Sequence, residues 1–219
     1  ITAYDLGLLT EELADDHSRM EKAYFWCIDP MDGTLPFTER RSGYAVSIAL
    51  ITQAGDPVLG VACIPDLEEC YSAVKGSGLY FNDQPYVRGN SGDPTIHFYM
   101  DRSFLDEPYI HDIKQAFESH YEQVEYHSTF GGVRNAIGVM TSGRGCYFKF
   151  PKKRKGCGSI WDYAATRLFM EELGLCVSTA SGDTLHLNRP STTFMNETGI
   201  LYATDEELER FIREFGGNL

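Results

Sequence analysis

Trp26-Cys27-Ile28-Asp29-Pro30-Met31-Asp32-Gly33-Thr34 runs from an apolar stretch into two carboxylates three residues apart. Tyr24 to Ile28 is short, aromatic and apolar, the pattern of a buried strand, so a strand delivers the acidic pair at its end. Pro30 stiffens the bend. Hard cations take oxygen ligands, and Asp29 and Asp32 can converge on one or two Mg²⁺ ions while an intervening backbone carbonyl adds another oxygen. Gly33 permits a close backbone approach, and the N–H groups of Gly33 and Thr34 can point at a phosphate oxygen. Read in isolation, the segment serves equally as an ordinary Asp-Gly turn with Asp29 as its Asx residue.

Working outward, Tyr44 to Thr52, Val58 to Ile64 and Cys70 to Lys75 are rich in β-branched and aromatic residues and are separated by Gly, Pro and Asp turns. They predict an antiparallel meander. A Gly/Asp/Pro stretch at 89–94 divides the chain into an N-terminal half, 1–93, and a C-terminal half, 94–219. In the second half, Ile96 to Met100 reads as a strand, Glu107 to His120 and Gly131 to Thr141 as helices, and Cys146 to Phe150 as a strand. Ile160 to Leu173 is apolar around much of its circumference, which predicts a buried helix. Short strands near Cys176 and at Ile200 to Ala203 precede a last helix, which Thr204 and Glu207 can open as a capping box. The expected class is mixed α/β (α+β), antiparallel first and alternating afterwards.

The 219 residues suffice for a full core, and the composition, 42% hydrophobic and 23% charged, is that of a globular protein. A net charge of −13, from 19 basic and 32 acidic residues, argues against a general nucleic-acid or anionic-membrane surface. An anionic substrate would then need bound cations to reverse the local field, which favours a metal site over a basic cleft. The six cysteines form no CxxC pair and are expected as reduced, mostly buried thiols of a cytoplasmic protein. No two histidines lie three to five residues apart, so no zinc pattern is visible.

Two further acidic sites stand out. Glu11-Glu12 follows the apolar patch of Leu6, Leu8 and Leu9, and Asp162 follows Trp161 at the start of the apolar helix. Singly, the first reads as a solvated helix face and the second as a helix-terminal charge. In their order, however, Thr10-Glu11-Glu12, WCIDPMDGT (26–34) and Trp161-Asp162-Tyr163-Ala164-Ala165 resemble the inositol monophosphatase superfamily, whose pattern is an EE pair, DPxDGT after a strand, and WDxAA near the start of a late helix. The resemblance covers essentially the whole chain, including GVACIPDLEECYSAVKGSGLYFNDQPY (60–86).

It implies a layered αβαβα sandwich, here without the helix pair that precedes the EE motif in relatives, with an active site between the two halves. It implies a Mg²⁺-dependent phosphomonoesterase using two or three ions. Glu11, Asp29, Asp32, Asp162 and the Met31 carbonyl would be the metal ligands. Glu11 and Thr34 would orient and activate the attacking water, with Asp32, Gly33, Thr34 and Asp162 against the substrate. Thr166 and Leu173-Gly174-Leu175 depart from the family pattern, where a glycine follows the alanines.

The substrate is less plainly written. Relatives acting on inositol carry an acidic residue several positions before the WD aspartate, but Lys155 stands in that region here. Lys149, Lys152, Lys153, Arg154 and Lys155 make a basic run in an acidic chain. A second phosphate, as in 3'-phosphoadenosine 5'-phosphate, would explain Lys153 and Lys155 as substrate contacts, and PFTERRSGYAVSIAL (36–50) resembles the bisphosphate nucleotidase branch. A solvated loop explains the run equally well. The expected partner is a small phosphorylated metabolite, such as an inositol or sugar monophosphate or a bisphosphate nucleotide, and not a nucleic-acid polymer or a membrane. A homodimer is open. A silent relative that binds metal or phosphate without turnover is the reading from another class.

Overall fold

The computed structural model describes residues 5–89 and 92–219. Two sheets carry the fold. The first, in spatial order β1 to β7, comprises β1 (Gly7–Thr10), β2 (Tyr24–Asp32), β3 (Ala45–Thr52), β4 (Pro57–Ile64), β5 (Glu69–Val74), β6 (Leu79–Phe81) and β7 (Gln84–Pro85). β1 runs parallel to β2, with Thr10 opposite Ile28, and every other pairing is antiparallel. The second sheet has the order β11-β12-β10-β8-β9 and is built from β8 (Ile96–Tyr99), β9 (Val124–His127), β10 (Arg144–Lys149), β11 (Cys176–Ser178) and β12 (Ile200–Ala203). A short helix α1 (Thr34–Thr38) follows β2, and four longer ones complete the chain: α2 (Ile110–His120), α3 (Gly132–Thr141), α4 (Ile160–Glu172) and α5 (Glu206–Gly216).

Alternation explains the layers. β3 reads buried, half-buried, buried along its length, so Ala45, Ala49 and Ile51 turn inward. They meet Val133, Ala136, Ile160, Ala164, Leu168 and Phe169 of α3 and α4, which also pack on Tyr147 and Tyr202 of the second sheet. The other face of that sheet buries Phe98, Cys146, Phe148 and Leu201 against Ile113 and Phe117 of α2 and Leu208 and Ile212 of α5. The layering is therefore β, α, β, α. On the outer face of the first sheet, Leu8, Trp26, Leu50, Leu59 and Val74 face one another across five strands, with Leu8 40% and Val74 50% exposed. No helix among the described residues covers this apolar row, which is where the outermost helical layer of an αβαβα sandwich would lie. Among the described residues no helix is long and apolar enough to cross a membrane.

Two expectations are corrected and one strand is added. Cys63 and Cys70 are not free thiols but a disulfide, because β4 and β5 set them directly opposite each other across a hairpin. The last helix is capped by Asp205, whose side chain accepts from the Leu208 N–H at 2.9 Å, and not by Thr204. β9, with the polar sequence Val-Glu-Tyr-His, was not visible as a strand because it lies at a sheet edge and lacks a clean apolar alternation.

α4 lies close to the first sheet because small residues face each other. A Cβ on Gly60 would stand 3.1 Å from Ala165 Cα and 3.2 Å from its carbonyl oxygen. Thr166, at the position where a family glycine was expected, is buried and bonds Tyr202 through its hydroxyl at 3.3 Å. Arg167, also buried, donates to the carbonyls of Gly55 and Leu185 at 3.0 and 2.7 Å and to Asp56 at 2.9 Å, tying the irregular 179–199 segment to the sheet. Gly60→Val should push α4 off the sheet and destabilise the chain by about 1–3 kcal/mol. A urea midpoint unchanged from wild type would contradict this packing.

Candidate active site

Asp29 and Asp32 differ by an odd number of residues, so a regular strand would aim them at opposite faces. β2 solves this with a register shift: Asp29 pairs with Ser47, but Asp32 pairs with Ala45, leaving three steps on β2 opposite two on β3. Both aspartates are consequently buried on one side, while Pro30 faces solvent. Gly33 then turns in the left-handed region at φ 82°, where an added Cβ would stand 2.7 Å from the Gly43 carbonyl. Only glycine fits that turn.

Asp29 uses one oxygen locally. Its Oδ1 accepts the Met31 N–H at 2.9 Å, the Asx turn that the sequence allowed, while Oδ2 is buried with no hydrogen-bond partner. Asp32 accepts the N–H groups of Gly132 and Val133 at 2.9 and 2.8 Å, sitting at the N-terminus of α3. Asp162, three residues after Ser159 at the start of α4, accepts the Ser159 N–H at 2.9 Å. Helix capping and the metal reading are thus not alternatives for Asp162, because each carboxylate oxygen has more than one lone pair. Oxygens of Asp29, Asp32 and Asp162 all lie within 4.8 Å of one another.

Electrostatics follow from this crowding. Burial, then the charges of Asp32 and Asp162, pushes the Asp29 carboxyl up to about 9. Burial, then Asp162, pushes Asp32 up to about 8 against the pull of its two amide donors. Asp162 is raised less, to about 6, because Lys149 opposes the effect of burial. Burial works against the Lys149 charge, yet Asp101 beside it, with which it forms a part-buried ion pair, keeps it protonated.

The remaining expected residues fall as follows. Glu11 is exposed just beyond β1, its N–H bonded to the Ile28 carbonyl at 3.3 Å, and its charge is felt at both Asp29 and Asp162. The Thr34 hydroxyl donates to the Met31 carbonyl at 3.4 Å. Lys155 lines a cavity of about 220 Å³ together with Asp101, Lys149, Lys152, Arg154 and Gly158. That cavity borders the carboxylates, since a Cβ on Gly158 would stand 2.4 Å from Asp162 Oδ2. Lys153 lines a second depression with Asp15 and Glu197, and Lys155 lines that one as well. The basic run is also partly neutralised: Lys152 and Arg154 share Glu107 at 2.6 and 3.0 Å, and Lys149 is committed to Asp101 and to the Tyr163 hydroxyl at 2.8 Å.

Sequence reasoning missed Asp101 and the Gly131-Gly132-Val133 turn. Asp101 follows β8 and accepts from Tyr147 Oη and Asn135 Nδ2 at 2.8 and 3.0 Å as well as from Lys149. Its only mark in the sequence is a single acid after a short strand, which is too common to single it out. The glycine pair signalled a close approach: a Cβ on Gly131 would stand 2.4 Å from Asp32 Oδ2.

The family model described as the inositol monophosphatase family matches residues 4–218. The chain belongs to the inositol monophosphatase family. It is 26% identical over 221 residues to 3'(2'),5'-bisphosphate nucleotidase 2 of Candida albicans, covering 87% of this chain and 61% of that protein. It is 30% identical over 176 residues to 3'(2'),5'-bisphosphate nucleotidase CysQ of Salmonella typhimurium, covering 78% and 65%. The chain thus spans about three fifths of the length of these curated relatives. Among solved structures, inositol monophosphatase II of Staphylococcus aureus superposes with a TM-score of 0.75 at 20% identity, over 98% of this chain and 74% of that one, which establishes the shared fold.

A divalent cation fits the site on the structure's own terms, since the unpartnered Asp29 Oδ2 points among three crowded carboxylates made of hard oxygen donors. Without a cation the folded chain keeps protons on Asp29 and Asp32 that an unfolded chain releases near about 4. The unfolded state then binds fewer protons, so metal-free stability falls as pH rises from about 4 toward about 9. Mg²⁺ added at pH 7 to lightly buffered protein should release protons, and Asp29→Asn should flatten the pH slope and reduce the release. Mg²⁺ binding with no proton release would contradict these protonation states.

Proposed function

We propose that the chain is a Mg²⁺-dependent phosphomonoesterase acting on a small phosphorylated metabolite, an inositol or sugar monophosphate. The observation that carries this reading is the buried, unpartnered oxygen of Asp29 set among Asp32 and Asp162. Asp29, Asp32, Asp162, Glu11 and the Met31 carbonyl would hold two or three ions. Such ions supply Lewis acidity to a phosphoryl group and acidify a water. The chain's own groups do the rest. Asp32 is fixed by the α3 amides and Asp162 by the Ser159 N–H, so neither ligand must reorganise as charge develops. Glu11, exposed and near the aspartates, accepts a proton from the attacking water. The Thr34 hydroxyl orients that water, and the amides of Gly33 and Thr34 receive the phosphate.

A second reading, a 3'(2'),5'-bisphosphate nucleotidase, is favoured by the cationic cavity beside Asp162, into which Lys155 and Arg154 bring charge from positions that sequence alone left as a surface loop. A second phosphate would find Lys155 there, and the two nucleotidase relatives point the same way. Lys153, in the other depression, would contribute less.

Phosphate release from inositol 1-phosphate and 3'-phosphoadenosine 5'-phosphate, measured side by side with and without Mg²⁺, decides between them. Asp162→Asn should lower kcat at least about 100-fold, more than loss of an outer partner of a metal ligand costs. Lys155→Ala should raise KM for the bisphosphate by about tenfold and leave the monophosphate little changed, the scale of one charge-assisted hydrogen bond. Mg²⁺ binding without release from either ester would replace the enzyme reading by that of a silent binding relative.

A further inference from the structure

A second group of side chains with metal-ligand chemistry lies on the opposite sheet. β9 is the edge strand, parallel to β8, with Glu125 opposite His97 and His127 opposite Tyr99. Residues two apart on a strand share a face, so Glu125 and His127 project on the same side as His97. His97 Nδ1 stands 3.1 Å from His127 Nε2, and Glu125 Oε2 stands 3.5 Å from the first and 4.0 Å from the second. These three edges leave a point about 2.1 Å from all three donors, the bond length of zinc to imidazole and carboxylate.

We propose that His97, Glu125 and His127 form a second metal site, selective for a divalent transition ion of the Zn²⁺ class and separate from the all-oxygen centre of Asp29, Asp32 and Asp162. Donor chemistry sets the selectivity. Two imidazoles and one carboxylate suit Zn²⁺ and its neighbours, whereas Mg²⁺ prefers oxygen. The site is reachable, with side-chain exposures of 23% for His97, 28% for His127 and 63% for Glu125. It is also held in shape. The Tyr99 ring stacks on His127 at 4.5 Å and 18°, and the Tyr99 hydroxyl is bonded to Ser142 Oγ at 2.9 Å. Three protein ligands leave the remaining coordination positions of the ion to water. An ion there would tie the edge strand to β8 and stabilise the native state by linkage.

The competing arrangement is a proton shared between the two rings, with Glu125 as their ion-pair partner. Calorimetric titration of Zn²⁺ into the chain in excess Mg²⁺ separates the two. Wild type should take up one equivalent with a rise in Tm, and Co²⁺ in its place should show the visible bands of imidazole coordination. His97→Ala and His127→Ala should each weaken this uptake by about 100-fold, and Glu125→Gln, at an exposed position where folding is not at stake, by about tenfold. Asp162→Asn should retain it. No Zn²⁺ uptake by wild type, or uptake that survives Glu125→Gln and His127→Ala but is lost in Asp162→Asn, would overturn the proposal.

Discussion

The dominant constraint in this molecule is the repulsion among three carboxylates gathered in a poorly solvated place. Isolated buried anions are among the most costly features a fold can carry. Asp32 is offset by two amides at the head of α3, Asp162 by the Ser159 amide and by Lys149, and Asp29 by a single amide that leaves its second oxygen unpartnered. The residual imbalance is what makes a cation the complement of the site. Lys149 is itself held by Asp101, so the electrostatics extend one layer further, into the strand ends of the second sheet.

Packing serves that constraint. Glycines at 33, 131 and 158 stand where a Cβ would collide with Gly43, Asp32 or Asp162, and the two left-handed positions, 33 and 158, also shape the turns that aim the carboxylates. Gly60 lets α4 lie close against the sheet. Because α4 carries Asp162 and the sheet carries Asp29 and Asp32, that close approach brings the three acids together. The same helices seat on the second sheet, whose far edge holds the His97, Glu125 and His127 group, so one layer of helices supports the strands of both clusters.

Much of this was legible in the residue order. The antiparallel meander, the alternating second half and the buried α4 followed from periodicity, and the three acidic motifs in sequence were specific enough to indicate a family. Asp29 and Asp32 were readable only in company with the EE pair and WDYAA, since Asp-Pro-Met-Asp-Gly-Thr by itself serves equally as a turn. Asp101 was not, since one acid after a short strand carries no pattern. The basic run at 149–155 misled by its continuity: Lys149 turns inward to Asp101, Lys152 and Arg154 close on Glu107, and Lys155 lines two depressions, of which Lys153 lines only one.

The residue order by itself determined most of the element types, the family motifs and which side chains offer hard oxygen donors, because these depend on local periodicity and on donor chemistry. Only the tertiary structure decided that a bulge turns Asp29 and Asp32 to one side and that Cys63 meets Cys70. It alone set the α3 amides on Asp32 and brought two histidines 30 residues apart within 3.1 Å. Each of these is a relation between segments distant in sequence, fixed by strand register and helix docking, and such relations leave no mark in the spacing of residues along one segment.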